Sequence, residues 1–221
     1  MNNSTTISIE TLDFLTQIET NNNKPWFDAN KKLWEKAKEN QTQFMDALQT
    51  ELKKLDDIVI KEPKKYVSRI NRDIRFSKDK SPYKDNISSL IARDSEDKKC
   101  KFYIHISPVE TFIMSGLYQP EAHILTNVRQ EIDYNGSDLH QIINDESFKN
   151  FFKEIIGETL IRPPKGYDEN HPDIKLLKLK QYLVKRNFDN KTVLSESFIP
   201  ELAETFNAAL PFLRFLDQTL I

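Results

Sequence analysis

The feature that most constrains the fold is a helical pattern of apolar residues over positions 26–55. Successive apolar residues there are three, four or seven positions apart: Phe27, Trp34, Ala37, Phe44, Leu48, Leu52 and Leu55. This spacing places them on one stripe of an α-helix, so the sequence predicts a long amphipathic helix from Trp26 to Leu55. Pro25, just before it, suits a first helical position. Such a stripe must be buried against other elements of the domain.

Three short runs rich in strand-forming residues come later in the chain, at 87–93, 101–106 and 111–118. In the second run, Tyr103 and His105 alternate with apolar residues, which is typical of a strand with one buried face. The SPVE segment between the last two runs has the length of a hairpin turn, so these strands are predicted to be antiparallel neighbours.

Further amphipathic segments predict helices around this sheet. They are expected at 12–18, 120–133, 137–143, 146–156, 174–185 and 198–213, with the FDNKTVL segment as a short strand or loop. The sequence therefore predicts an α+β protein: a small, mainly antiparallel sheet packed by long amphipathic helices. No linker divides the chain, so we expect a single domain over residues 1–221 with an ordered core at roughly 10–217.

Composition argues against several classes of protein. The chain has four glycines and lacks a Gly-rich phosphate-binding loop, which argues against standard nucleotide-triphosphate hydrolysis. Cys100 is the single cysteine, so an intrachain disulfide is excluded. No apolar stretch approaches a membrane span, and the first residues do not resemble a secretory signal, so we expect a cytoplasmic protein with no membrane partner.

The histidines do not predict a metal site. The four of them, His105, His123, His140 and His171, lack the spacing of a ligand set. The sequence indicates no metal, leaves any cofactor unknown and does not specify an oligomeric state.

Charge is concentrated in the middle of the chain. Residues 61–101 contain 13 Lys or Arg and 7 Asp or Glu, a local charge of +6 in a chain whose formal net charge is -2. Within this region, RINRDIRFSKDKSPYKDN at 69–86 carries six basic residues and three aspartates. If residues 69–77 are extended, Arg69, Asp73 and Arg75 share one face, while Arg72 lies on the other with Ile70, Ile74 and Phe76.

This segment is the predicted binding site for a small anion, since arginine forks bind phosphate and carboxylate at two points. The candidate ligand-binding residues are Arg69, Arg72, Arg75, Lys78, Lys80, Tyr83, Lys84 and Tyr118. If the protein is an enzyme, which the sequence leaves open, the candidate catalytic residues are His105, Tyr103 and Asp73. Gly116, in the third strand, could admit a ligand or mark a bulge.

Other functions fit the same charges. The aspartates at 73, 79 and 85 could neutralise the cations in a purely structural network. Basic residues interleaved with Phe76 and Tyr83 also suit a nucleic-acid-binding module, although the acidic remainder of the chain argues against it. A non-catalytic interaction or scaffold protein with a cationic patch for an acidic partner is a further alternative.

The motifs together resemble a known family. NNNKPWFDANK, RDIRFSKDKSPYK, FYIHISP followed by GLYQPE, and PKGYDENHP occur in the expected order. On these motifs the chain resembles the uncharacterised, mainly bacterial family catalogued as domain of unknown function 2461 (DUF2461), from about Leu12 to Leu213. The resemblance implies a single-domain α+β protein and implies no enzyme activity.

Overall fold

The computed structural model describes residues 6–93 and 100–220. Its α-helices are α1 (Ile9–Thr20), α2 (Lys24–Ala29), α3 (Lys31–Leu52), α4 (Ala122–Asn144), α5 (Glu146–Phe151), α6 (Ile174–Leu177), α7 (Asn190–Val193) and α8 (Phe198–Asp217). Its strands are β1 (Ile87–Ala92), β2 (Lys101–Ile106), β3 (Thr111–Leu117) and β4 (Tyr182–Phe188). Short 3₁₀ turns lie at Pro63–Tyr66 and Gln218–Leu220. The predicted α+β class is confirmed.

The four strands form one antiparallel sheet in the order β1-β2-β3-β4. The chain divides into two compact units. Unit 1 comprises Met1–Ile91, Tyr103–Ile113 and Asn187–Ala203, and unit 2 comprises Ala92–Phe102, Met114–Arg186 and Glu204–Ile221. Each strand contributes residues to both units. The single-domain organisation stays a prediction.

The predicted long helix is two helices, because Asn30 interrupts it. Asn30 has φ -112° and ψ 16°, outside the helical region, and its side-chain amide donates to the Trp26 carbonyl at 2.9 Å. The backbone N–H of Asn30 donates to the same carbonyl at 3.0 Å, so the side-chain bond adds to the last helical hydrogen bond of α2. The prediction of one helix from Trp26 to Leu55 was therefore wrong at Asn30, and α3 also ends earlier, at Leu52.

Unit 1 is built on the contact of α1 with α3. The ring of Phe14 lies 5.8 Å from that of Trp34 and 6.3 Å from that of Trp26. The side chain of Asn40, buried on α3, accepts from the Ser8 amide and the Thr11 hydroxyl, both at 2.9 Å. The buried polar group is thereby satisfied, and it fixes the start of α1 against α3.

The structure of unit 2 changes the bounds of four predicted helices, and the one expected at 146–156 ends at Phe151. The helices expected at 120–133 and 137–143 are one helix, α4, with a kink at Asn135. The helix expected at 174–185 ends at Leu177, and β4 begins at Tyr182. Three consecutive buried residues open β4, so its sequence lacks the alternation that would have indicated a strand. FDNKTVL, expected as a strand or loop, contains the end of β4 and the short helix α7.

Among the described residues, every helix is too short or too polar to cross a membrane.

Candidate functional site

The predicted anion-binding segment forms a hairpin in unit 1, here called the basic hairpin (residues 69–86). The Arg72 amide donates to the Pro82 carbonyl at 2.9 Å, and the Lys84 amide donates to the Ile70 carbonyl at 2.8 Å. Asn71 and Tyr83 form the antiparallel bridge between these two bonds. Pro82 fits within the pairing because it supplies its carbonyl and needs no N–H.

The basic hairpin is anchored on the turn between α1 and α2. The Asn22 amide donates to the Tyr83 carbonyl, and its oxygen accepts from the Tyr83 N–H, each at 2.9 Å. The Tyr83 ring stacks on Phe27 with a centroid distance of 4.3 Å and is only 6% exposed. Tyr83, a predicted ligand contact, thus serves as a core anchor of the hairpin.

The two predicted faces of the segment are present. Arg69, Asp73 and Arg75 are exposed, whereas Ile70 is buried and Arg72 is half-buried. Phe76 departs from the expected apolar face: it is 95% exposed, and the Arg75 guanidinium lies 5.8 Å from its ring centroid. Phe76 is at the turn of the hairpin, beyond the paired residues, which explains why the alternation stops before it.

Two of the arginines form ion pairs within the hairpin. Arg75 donates to both carboxylate oxygens of Asp73, at 2.9 and 2.6 Å, and these bonds lower the pKa of that carboxyl. Arg72 pairs with Asp79, whose pKa is well below its usual range because it accepts hydrogen bonds from Ser81 and from Arg72. The structural-network alternative therefore accounts for Arg72 and Arg75.

The other cations of the hairpin are arranged differently. Lys80 donates to the Ile74 carbonyl at 2.9 Å. Within the described part of the chain, Arg69, Lys78 and Lys84 make no ion pair with a carboxylate. Partial burial lowers the pKa of Lys84, and the positive charge of nearby Arg69 lowers it further. Arg69 and Lys84 are thus two neighbouring cations whose charges repel each other.

The candidate catalytic residues Tyr103 and His105 lie side by side on β2. The Tyr103 hydroxyl is 3.3 Å from His105 Nδ1, and the His105 ring stacks on Phe112 at 4.8 Å. Both side chains are half-buried. The third candidate, Asp73, is held by Arg75 in the basic hairpin, where its carboxylate acts as an ion-pair acceptor.

Tyr118 belongs to unit 2, directly after β3, and is 66% exposed. Nearby Gly116 has φ +129°, and a Cβ at that position would lie 2.0 Å from the Tyr182 carbonyl oxygen. The backbone of β4 therefore lies so close to residue 116 that only glycine fits there.

Cys100 is fully buried. In the described ranges, no group of three or more His, Cys, Asp or Glu side chains is arranged to hold a metal ion.

Sequence reasoning missed the role of Asn22. Its position in a polar break before Pro25 indicated a turn, and nothing local indicated that its amide would pair with a backbone 61 residues away. The exposure of Phe76 could have been inferred, since turn-forming residues follow it directly.

Comparison with known proteins identifies the family. The model of the family described as a conserved hypothetical protein (DUF2461) matches residues 10–215. The chain belongs to this family. No curated protein and no solved structure matches it. Membership in DUF2461 thus confirms the resemblance carried by the motifs and assigns no activity.

Proposed function

We propose that this DUF2461 protein binds a small anionic ligand, bearing phosphate or carboxylate, between Arg69 and Lys84. The observation that carries the proposal is the contrast within the basic hairpin. Arg72 and Arg75 form ion pairs with aspartates, whereas Arg69 and Lys84 lie near each other and, among the described residues, form no ion pair, although the charge of Arg69 also helps to lower the pKa of Asp73. A bound anion would supply the missing negative charge.

The backbone pairing supports this position for the ligand. Because the Lys84 amide bonds to the Ile70 carbonyl, Lys84 is held beside the residue that follows Arg69. The Asn22 and Phe27 contacts fix the same strand of the hairpin at Tyr83. Because the backbone at both cations is already fixed, binding has to order only their side chains, which favours affinity. We place the protein and its ligand in the cytoplasm.

Titration with inorganic phosphate and with citrate, followed by amide and arginine side-chain NMR, tests the proposal. We expect the largest shifts at Arg69 and Lys84, and a loss of affinity of at least about tenfold in Arg69→Gln/Lys84→Gln, since a charge-assisted hydrogen bond contributes about 1.5–3 kcal/mol.

The matched control is Lys78→Gln/Lys80→Gln, which removes the same charge from the same hairpin. Its affinity should remain within about threefold of the wild type, because diffuse attraction between exposed charges is weak and screened. Equal losses in the two double variants, or shifts spread evenly over the hairpin, would contradict a site at Arg69 and Lys84.

A second candidate function is binding of single-stranded nucleic acid, favoured by one observation. Phe76 is almost fully exposed beside Arg75 at the turn of the basic hairpin, and bases stack on such rings. Binding of an oligothymidylate should then weaken steeply as salt increases and should be lost in Phe76→Ala. Retention of all affinity in Phe76→Ala would exclude this candidate.

A further inference from the structure

A pocket of about 580 Å³ lies in unit 2 and is lined by none of the residues of the predicted anion site. Its wall is formed by the end of α4, by α5 with the segment after it, and by α6 with the residues before it. The polar residues that carry the argument are His140, Lys149, Lys153, Asp173 and Lys175. We call this cavity the His140 pocket.

His140 is aligned by a buried carboxylate. Its Nε2 lies 2.5 Å from Oδ1 of Asp173, a residue that is only 9% exposed. A carboxylate accepts hydrogen bonds, so His140 Nε2 is the donor to Asp173. Within the described residues His140 Nδ1 has no hydrogen-bond partner, and the side chain is half exposed at the pocket wall. This nitrogen is available to a ligand.

The position of Asp173 is itself constrained from two sides. Its backbone N–H donates to His171 Nδ1 at 3.0 Å, and His171 Nε2 is 3.0 Å from Asp133. On the other side, Gly136 of α4 leaves room for the carboxylate, since a Cβ there would lie 2.7 Å from Asp173 Oδ2. Glycine inside a helix is less favourable than alanine. The helix therefore accommodates the carboxylate at a cost in its own stability.

The charge and polarity of the wall define what would fit. Lys149, Lys153 and Lys175 line the pocket and form no ion pair among the residues described, while Glu154 and Asp173 are its acidic residues. Phe148 and neighbouring isoleucines and leucines supply an apolar part of the wall. Pockets with an apolar wall and a few convergent polar groups are typical of small-molecule sites.

We propose that the His140 pocket binds a small organic anion with an apolar body, such as an aryl phosphate. The lysines hold the anionic group, the apolar wall holds the body, and His140, when both ring nitrogens carry a proton, donates from Nδ1 to an oxygen of the anionic group. Asp173 and Gly136 are positioning residues: Asp173 orients the ring, and Gly136 admits Asp173. This site rests on unit 2 residues alone and does not depend on the site at Arg69 and Lys84.

Phenyl phosphate is the probe, and NMR of the four histidine rings with the backbone amides is the readout. We expect phenyl phosphate to shift the His140 ring and the amides of α5. Inorganic phosphate and benzyl alcohol, which each lack one half of the probe, should bind at least about tenfold more weakly at this site. No shift at His140 up to about 10 mM phenyl phosphate would overturn the proposal.

Substitutions of exposed lysines test the binding proposal without disturbing the fold. Lys149→Gln/Lys153→Gln should weaken binding at His140 by about tenfold or more, while Lys31→Gln/Lys32→Gln, an equal change of charge on α3, should not. Equal affinities in both double variants would overturn the proposal. Arg69→Gln/Lys84→Gln should leave the His140 shifts intact, so failure of one site is distinguishable from failure of the other.

Gly136→Ala tests the positioning role. The added methyl should displace the Asp173 carboxylate, change the His140 ring resonances before any ligand is added, and weaken phenyl phosphate binding. His123→Asn, in the first turn of the same helix and outside the pocket, is the control and should bind as the wild type does. An unchanged His140 ring in a folded Gly136→Ala protein would overturn the assigned role of Gly136.

Discussion

The positively charged side chains of the basic hairpin have different surroundings. Arg75 is two residues from Asp73 and closes a two-bond ion pair with it, and Arg72 reaches Asp79 across the turn. Lys84 is on the other strand, half-buried, with Arg69 as its charged neighbour. The sequence count of six cations against three aspartates therefore overstates the unpaired charge, because Arg72 and Arg75 are already held in ion pairs.

Replacement of Lys84 by methionine should stabilise the protein slightly and weaken anion binding. The folded state lowers the pKa of Lys84, so its charged form is disfavoured there. We expect the free energy of unfolding to rise by a few tenths of a kcal/mol at pH 7, within the range of about 0.5 kcal/mol usual for surface substitutions. Urea denaturation measures this effect.

The pH dependence of the stability difference between Lys84→Met and the wild type tests whether the charge of Lys84 causes it. A lowered folded-state pKa means that the wild type gains stability as pH rises through the folded pKa toward the unfolded value of about 10.4. The advantage of Lys84→Met should therefore shrink over that alkaline interval. A less stable Lys84→Met protein at pH 7 would show that the lysine side chain contributes more through packing than its charge costs.

At the scale of secondary-structure elements, side-chain contacts determine where segments begin, end or pair when their own sequence patterns do not. The basic hairpin has one bridge and two flanking hydrogen bonds, and Asn22 extends this pairing as a further strand would. Asn30 divides a continuous apolar stripe into α2 and α3 because its backbone is non-helical, and its side-chain amide donates to the Trp26 carbonyl at the end of α2. The Asn22 amide takes the place of a backbone group at Tyr83, whereas the Asn30 side chain adds to a backbone bond already made at Trp26.

Asn22→Ala should loosen the basic hairpin. The substitution leaves the N–H and carbonyl of Tyr83 without their partners, and an unsatisfied, partly buried polar group costs about 1–3 kcal/mol. We expect faster hydrogen exchange at the Tyr83 amide and a loss of stability of about 1–2 kcal/mol. Asn21→Ala is the matched control, since among the described residues that side chain bonds to Gln17 and Thr20 of α1 alone. Unchanged protection of Tyr83 would contradict the anchoring role.

At the scale of the whole molecule, the surroundings of three aspartate side chains predict that the folded state loses stability at acidic pH. Asp73, Asp79 and Asp189 all have folded-state pKa values below the usual range, because each accepts hydrogen bonds from neighbouring side chains or amides. All three belong to unit 1. Their ionised forms favour the folded state, which links the stability of this unit to pH.

The expected acid dependence has a definite sign. The stabilisation is complete above the unfolded pKa of about 3.9 and is lost as pH falls from there through the lower folded values. The urea midpoint should thus decrease below about pH 4. In Asp79→Asn it should start lower at pH 7 and decrease less over the acid interval. Parallel pH profiles for the two proteins would exclude Asp79 as a contributor.

The amino-acid sequence alone was enough to predict the fold class and the family. It also indicated residues 69–86 as the segment where we expect an anion site. Periodicity identified α1, α8 and strands β1 to β3, since local patterns report which side of an element is buried. The RDIRFSKDKSPYK motif, specific in its residue order, carried the family resemblance. Strand β4 was missed, because a strand that opens with three buried residues has no alternation to report.

The folded chain was needed to establish which charged groups are paired and which side chains meet. Asp79 reaches Arg72 only when the hairpin turns back on itself, and Tyr83 became an anchor through Asn22 and Phe27, far away in sequence. The His140 pocket likewise joins residues of α4 to Asp173, 33 positions later. Hydrogen bonds and ion pairs act over a few ångströms, so residue order leaves such pairings undetermined until the chain has folded.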